Sequence, residues 1–301
     1  MKNISHIIFS VVFVCLCSFL NTPKVYSEVN VPINVPKGSF LLVESDCNCG
    51  MFASFSFALG SLHFYDKGNF AGLKVNFTCP IYLDKSRGSN WWEYFFEPIC
   101  LGNQNAPNYI FSVHQYIKLA GYGFRLSRNE ASAIIEKYIR LKPHIQEEVN
   151  KYVNDNFHKK YVIGVHYRGT DKCTENKLVP YEQFCNKVRD VIAESPMIKK
   201  RKLVIFVATD EEDFLNYIKK NIPLEIVYND FKRSNDNTSL HHGEHHYENN
   251  YEKGREALLD CLILSRCDYL IKTASSLSHM SANFNPKIPV KIVRVRTPQT
   301  E

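Results

Sequence analysis

The sequence predicts an α/β protein of two domains, the second a doubly wound parallel sheet, and three observations carry that prediction. From Tyr161 onward, five apolar strand-length runs alternate with four amphipathic helix-length runs, the pattern of a parallel sheet with crossover helices. A β-α-β opening stands in residues 40–77. The 301 residues exceed one ordinary core and fit two domains of about 120 to 150 residues each.

Composition narrows the class. Hydrophobic content of 45% and charged content of 23% are ordinary for a globular chain, and a mean hydropathy of −0.27 excludes a multi-span membrane protein. The net charge of +6 is mild. Lys199-Lys200-Arg201-Lys202 falls between predicted elements and reads as a solvated turn, so no nucleic-acid partner is expected.

Ile7 to Leu20 is an apolar stretch behind Lys2, too short to cross about 30 Å of hydrocarbon comfortably. With Val25-Tyr26-Ser27 at cleavage spacing, residues 1–27 read as a signal peptide, an uncleaved signal anchor being the alternative. Either places the chain in the secretory lumen, ER or Golgi, exported or held as a type II membrane protein. Eight cysteines follow, an even number that suits an oxidising compartment. Some bridges and some buried thiols are expected, with Cys261 and Cys267 pointing apart on one helix. Asp46-Cys47-Asn48-Cys49 lacks zinc-ligand spacing. Sequons at Asn76 and Asn237 are compatible with glycosylation.

The first domain, residues 28–157, opens with a strand at Phe40 to Val43, an apolar helix or buried segment from Phe52 to Leu62, and a strand at Gly72 to Phe77. The run from Asn90 to Pro98 holds Trp91 and Trp92, and its aromatic density suits a core wedge, with a sugar-stacking wall as the rival reading. Ser127 and Glu130 have capping-box spacing ahead of a helix that Pro143 should break. A second helix carries Ile145, Val149, Tyr152 and Val153 on one face and leads to the boundary near Phe157.

The second domain, residues 158–301, has strands at 161–167, 203–208, 224–228, 269–272 and 290–295. Helices are predicted at 181–194, 211–221, 253–266 and 276–284. One connection, Asn229 to Glu252, is long enough to be a functional loop. In such a sheet the carboxyl ends of the strands share an edge where ligands bind. Three polar loops meet there: His166 to Glu175 with Arg168, Thr170, Asp171 and Lys172; Ala208 to Glu212 with Asp210; and Lys272 to Ser276 with Thr273 and Ser275. Hydroxyls and N–H groups at the start of the last helix could hold a phosphate. The bland readings are that Asp210 and Ser275 cap helices and that Asp171 and Lys172 form a solvated pair.

His166-Tyr167-Arg168-Gly169-Thr170-Asp171-Lys172, Phe206-Val207-Ala208-Thr209-Asp210, and Leu259-Asp260-Cys261 continuing to Thr273-Ala274-Ser275-Ser276 resemble, in order, three motifs of the fucosyltransferase superfamily. That superfamily includes animal α1,6-fucosyltransferases and bacterial nodulation fucosyltransferases. The resemblance covers roughly the second half, and the Asn90-Trp91-Trp92-Glu93-Tyr94 segment adds mild support. It implies a GT-B architecture of two Rossmann-like domains, GDP-fucose as donor, a glycan or glycoprotein acceptor, and inverting transfer with no metal or other cofactor. It also implies that Arg168 holds the β-phosphate, His166 and Asp260 help bind the nucleotide, and Ser276 lines the donor pocket. The family base matches Glu175 with one residue missing from the loop. Gly169 stands where the α1,6 enzymes carry a second arginine.

The chemistry agrees residue by residue. A fixed guanidinium stabilises charge on a leaving phosphate without a metal. The acceptor hydroxyl needs a carboxylate base, Glu175 first and Asp171 second, with Lys172 able to keep either ionised. The cluster His241-His242-Gly243-Glu244-His245-His246, with Glu248 nearby, lacks metal-helix spacing. It reads instead as part of a loop closing over the base, with Tyr247 or Tyr251 stacking on guanine. Two other classes remain in view: a scaffold that binds the nucleotide sugar without turnover, and a metal-dependent phosphoester hydrolase using Asp171, Asp210 and the histidines.

Overall fold

The structure is a computed structural model, and it describes residues 35–45, 49–112, 126–170, 178–194, 200–236, 238–240 and 249–295. The signal segment and the Asn237 sequon lie outside these residues. Among them, no helix is long and apolar enough to cross a membrane.

The first sheet comprises β1 (Phe40–Glu44), β2 (Gly72–Asn76), β3 (Cys100–Gly102) and β4 (Asn108–Ser112), in the order β3-β2-β1-β4. β1 pairs in parallel with β2 and β4, and β3 runs antiparallel to β2. Helix α1 (Met51–Asp66) makes the first crossover. It is apolar around its circumference, as a helix packed on all sides must be, and Phe52, Phe55, Leu59 and Leu62 are all buried. The sequence reading missed β3 and β4. β3 spans only three residues, and β4 is an edge strand with Ile110 exposed, so neither shows clear strand alternation.

The tryptophan run is core. Trp91 and Trp92 are 1% and 0% exposed, flanking the start of the short helix α2 (Trp92–Phe95). Trp92 stacks on Phe96 with ring centroids 4.4 Å apart and meets Phe55 and Phe77. Asn90 satisfies the backbone around it: Oδ1 accepts from Phe77 N at 2.8 Å, and Nδ2 donates to Val75 O at 3.0 Å. With both indoles buried, the sugar-stacking alternative is set aside.

Ser127 and Glu130 form the expected capping box at the head of α3 (Arg128–Tyr138). Helix α3 ends ahead of Pro143 as expected, and Pro143 itself opens α4 (Pro143–Phe157), because its missing N–H costs nothing in a first turn.

The second sheet has the order β7-β6-β5-β8-β9 and is parallel throughout. Its strands are β5 (Lys160–Tyr167), β6 (Lys202–Thr209), β7 (Glu225–Val227), β8 (Tyr269–Lys272) and β9 (Val290–Ile292). Its crossover helices are α5 (Tyr181–Glu194), α6 (Glu212–Asn221), α7 (Asn250–Leu264) and α8 (Ser276–Phe284). Strand alternation sorts the two faces. Tyr161, Ile163, Val165 and Tyr167 pack with α5 and α6. Val162, Phe206, Ala208 and Leu270 pack with α4, α7 and α8. Gly164 faces that second side, where a Cβ would lie 2.9 Å from Cys267 Sγ.

The core on this second side is continuous with the first sheet's core, whereas the α5 and α6 side forms its own cluster. Phe284 of α8 meets Phe55 of α1 at 5.7 Å between centroids. Arg128 Nη1 donates to Ile288 O at 2.9 Å, and Arg255 pairs with Glu148. Helix α7 starts earlier than expected, capped by Asn249, and ends at Leu264, so Cys267 lies beyond it. Cys100, Cys185, Cys261 and Cys267 are thiols, all buried except Cys100.

Candidate active site

The parallel register brings the three loops together. His166 lies beside Ala208 of β6 and Lys272 of β8, and Tyr167 beside Thr209, so the residues that follow emerge at one edge. There the Arg168 guanidinium meets Asp210 Oδ2 at 2.7 Å, with side chains only 13% and 7% exposed. Asp210 also accepts from Gly169 N at 3.1 Å and from Thr170 Oγ1 at 2.6 Å. The third loop closes the arrangement. Arg168 N donates to Thr273 Oγ1 at 3.0 Å, and Thr273 N donates to His166 O at 3.0 Å. Arg168 is thereby tied to both neighbouring strands.

Glu211, not Asp210, occupies the cap position of α6; Ser275 does occupy the cap position of α8 but makes no side-chain cap bond there. Ser276, the first residue of α8, is exposed, leaving this helix start facing outward beside Thr273. Its positive dipole end favours an anion. Lys272 is buried below, with Nζ 3.4 Å from Ser275 O.

His166 is 3% exposed, and its Nδ1 has no hydrogen-bond partner among the described residues. Burial, reinforced by the charges of Lys272 and Arg168, holds its pKa well below the usual imidazole range. It is therefore a neutral ring at physiological pH. Asp260 lies in a separate cluster on α7, where its carboxylate accepts from Asn229 Nδ2 at 2.7 Å. Burial pushes it up to about 7, against the opposing hydrogen bond and the nearby Arg233 charge.

Two residues that the sequence reading did not select also belong here. Glu211 is buried, and its Oε2 accepts from Tyr181 Oη at 2.8 Å. Burial raises the Glu211 carboxyl above the ordinary range. The signal available in the sequence was its place directly after Asp210, opposite a glycine.

Asp171, Lys172 and Glu175 lie outside the described residues, as do the histidine cluster, Glu248 and Tyr247. Tyr251 is described, and it cannot stack on a base. It is 6% exposed, stacked on Phe95 at 5.2 Å with the Arg87 guanidinium 3.7 Å over its ring. Among the described residues no group of three or more His, Cys, Asp or Glu is placed to hold a metal. A cavity of about 490 Å³ between α3, α4, α7 and α8, lined by Ile139, Arg140, Val149, Leu262, Arg266 and Phe284 among others, contains none of the predicted site residues.

Residues 131–279 match the family of alpha-(1,6)-fucosyltransferase N- and catalytic domains. By family match and fold, the chain is similar to the fucosyltransferase superfamily. The matched span holds Arg168, Asp210, Glu211, Asp260 and Thr273 together. The fold is that of NodZ alpha-1,6-fucosyltransferase soaked with GDP-fucose: 16% identity, TM-score 0.58, covering 84% of this chain and 94% of that one. NodZ co-crystallized with GDP gives 15% identity and a TM-score of 0.54 over 82% and 92% of the two chains. Fucosyltransferase NodZ from Bradyrhizobium gives 15% and 0.56 over 82% and 93%. The two parallel-dominated sheets thus give the expected GT-B architecture, and family match and fold together indicate a glycosyltransferase.

Proposed function

We propose that the chain is an inverting, metal-independent fucosyltransferase that moves fucose from GDP-fucose to a glycan or glycoprotein acceptor. One observation carries this reading: a partly exposed Arg168, braced by Asp210 and Thr273, stands at the carboxyl edge of a parallel sheet beside an outward helix start. The superfamily match and the fold shared with NodZ, which has been soaked with GDP-fucose, support the choice of donor.

Breaking the bond between fucose C1 and the β-phosphate leaves negative charge on the phosphate oxygen. We assign Arg168 to that oxygen, with the N–H groups at Ser275 and Ser276 and the Thr273 loop on the diphosphate. Asp210 holds the guanidinium and the loop in place. The neutral His166 ring lies beneath the nucleotide without adding charge. Asp260, on its own cluster with Asn229, is assigned to the nucleotide as well. Attack by the acceptor hydroxyl from the face opposite the departing phosphate inverts C1, and its proton goes to Glu175, or to Asp171 if that carboxylate is nearer, with Lys172 keeping the base ionised. The secretory lumen remains the proposed compartment.

The test is calorimetric titration of GDP-fucose, with GDP-mannose and UDP-galactose as controls and EDTA present, into the chain and its Arg168→Ala variant. Selective GDP-fucose binding that the variant loses is expected. Folded protein that ignores GDP-fucose overturns the reading, and binding or hydrolysis that chelation abolishes favours the metal-dependent hydrolase.

A further inference from the structure

Glu211 is the buried carboxylate at this edge that the proposed transfer leaves without a task. A Cβ built on Gly169 would lie 1.8 Å from Glu211 Oε1 and 1.9 Å from its Cδ. The space a side chain at 169 would need is therefore filled by the Glu211 carboxylate. That carboxylate cannot swing aside cheaply. Its other oxygen accepts from Tyr181 Oη at 2.8 Å, and the Tyr181 ring packs edge-on against the stacked pair of Tyr167, at 5.3 Å, and Phe214, at 5.4 Å. The Glu211 backbone is fixed too, its N–H donating to Thr209 Oγ1 at 3.2 Å while the residue bridges to Ser234.

We infer that Glu211 is a positioning residue for the donor site: a carboxylate wedge, clamped by Tyr181, that locks the Gly169 turn and so aims Arg168. The inference rests on the donor-site reading above. The mechanical link is short. Gly169 N is bonded to Asp210 Oδ1, and the other oxygen of the same carboxylate holds the Arg168 guanidinium. A turn free to shift at 169 would pull on both. The groups facing Glu211 are Tyr181 from α5, Asp213 from α6, Tyr167 from β5, and Asp210 with Arg168 at the strand ends. With two further carboxylates in that set, its placement is not explained by charge attraction alone, whereas filling the volume beside Gly169 explains it directly.

The test combines a double-mutant cycle with thermal melts. GDP and GDP-fucose are titrated into wild type, Glu211→Gln, Glu211→Ala, Tyr181→Phe, Gly169→Ala and the Gly169→Ala/Glu211→Ala pair. Glu211→Gln keeps the shape and the acceptor for Tyr181, so its affinity is expected within about threefold of wild type, while Glu211→Ala and Gly169→Ala each lose about tenfold. The double variant is expected to be no weaker than the worse single one, because one displacement causes both losses. Wild-type affinity in Glu211→Ala, fully additive losses, or a fall in Tm with donor affinity unchanged overturns the inference while leaving the donor site standing. Failure of folded wild type to bind either nucleotide overturns both.

Discussion

Arg168 and Asp210 meet guanidinium to carboxylate at 2.7 Å across the ends of β5 and β6, and the same carboxylate also holds Gly169 N and Thr170 Oγ1. One acidic side chain therefore sets the conformation of three successive residues of the motif loop. Removing its charge while keeping its shape, in Asp210→Asn, leaves acceptor capacity for the loop but strips the counter-charge from a mostly buried arginine. Breaking such a pair costs about 3 kcal/mol or more in a dry site. Denaturant unfolding should show that loss, together with weaker GDP-fucose binding.

Arg168→Lys keeps the charge but not the planar fork. A lysine ammonium can meet Asp210 or the phosphate as a point charge and cannot hold both in fixed geometry. Steady-state transfer should fall by about tenfold or more in kcat/KM. Unchanged kcat/KM would mean that Arg168 acts only through its charge.

Asp260 gives a pH signature. Its folded pKa of about 7 lies above the ordinary carboxylate value of 3.8, so between those values the folded chain binds more protons than the unfolded one. Stability should therefore fall as pH rises from about 4 to 7 and stay lowered above that. Asp260→Asn keeps an acceptor for Asn229 and removes the titration. Melts at pH 5 and pH 8 should show a smaller drop in Tm for the variant than for wild type.

Trp92→Ala tests the core assignment. Losing a fully buried indole stacked on Phe96 should cost about 3–5 kcal/mol of unfolding free energy. GDP-fucose affinity of the protein that remains folded should be unchanged. Intact stability with lost transfer would return Trp92 to a sugar-binding role.

Gly164→Ala probes the contact between β5 and the turn after α7. The added methyl would lie 2.9 Å from Cys267 Sγ and 3.0 Å from Leu264 Cδ2. Overpacking of this kind costs about 1–3 kcal/mol, readable as a fall in Tm.

The second sheet was legible because its physics is local: continuous apolar runs mark buried parallel strands, and amphipathic runs mark the helices between them. The predicted spans at 181–194, 269–272 and 276–284 coincide with α5, β8 and α8. The meeting of Arg168, Asp210 and Thr273 was legible too, since parallel topology alone puts their loops on one edge. What escaped were relationships that depend on packing. Tyr181 and Glu211 are 30 residues apart, and each reads alone as an ordinary helix-start residue. Tyr251 offered an aromatic ring to a ligand on paper, but Phe95 and Arg87 occupy both its faces. Three-residue β3 is too short to display a period, and β4 is an edge strand with Ile110 exposed.

The contacts that run from α8 and the turn after it back to α1 and α3 have a consequence for anyone who would exchange the first sheet by grafting. Phe284 packs on Phe55, and Arg128 donates to the carbonyl of Ile288 just beyond α8, so the last helix among the described residues finishes the core of the first sheet. A graft that stops at residue 157 would separate Phe55 and Arg128 from the partners they were shaped against. A hybrid that keeps residues 276–288 with residues 40–157 preserves that seam, and the crossover points belong on either side of it.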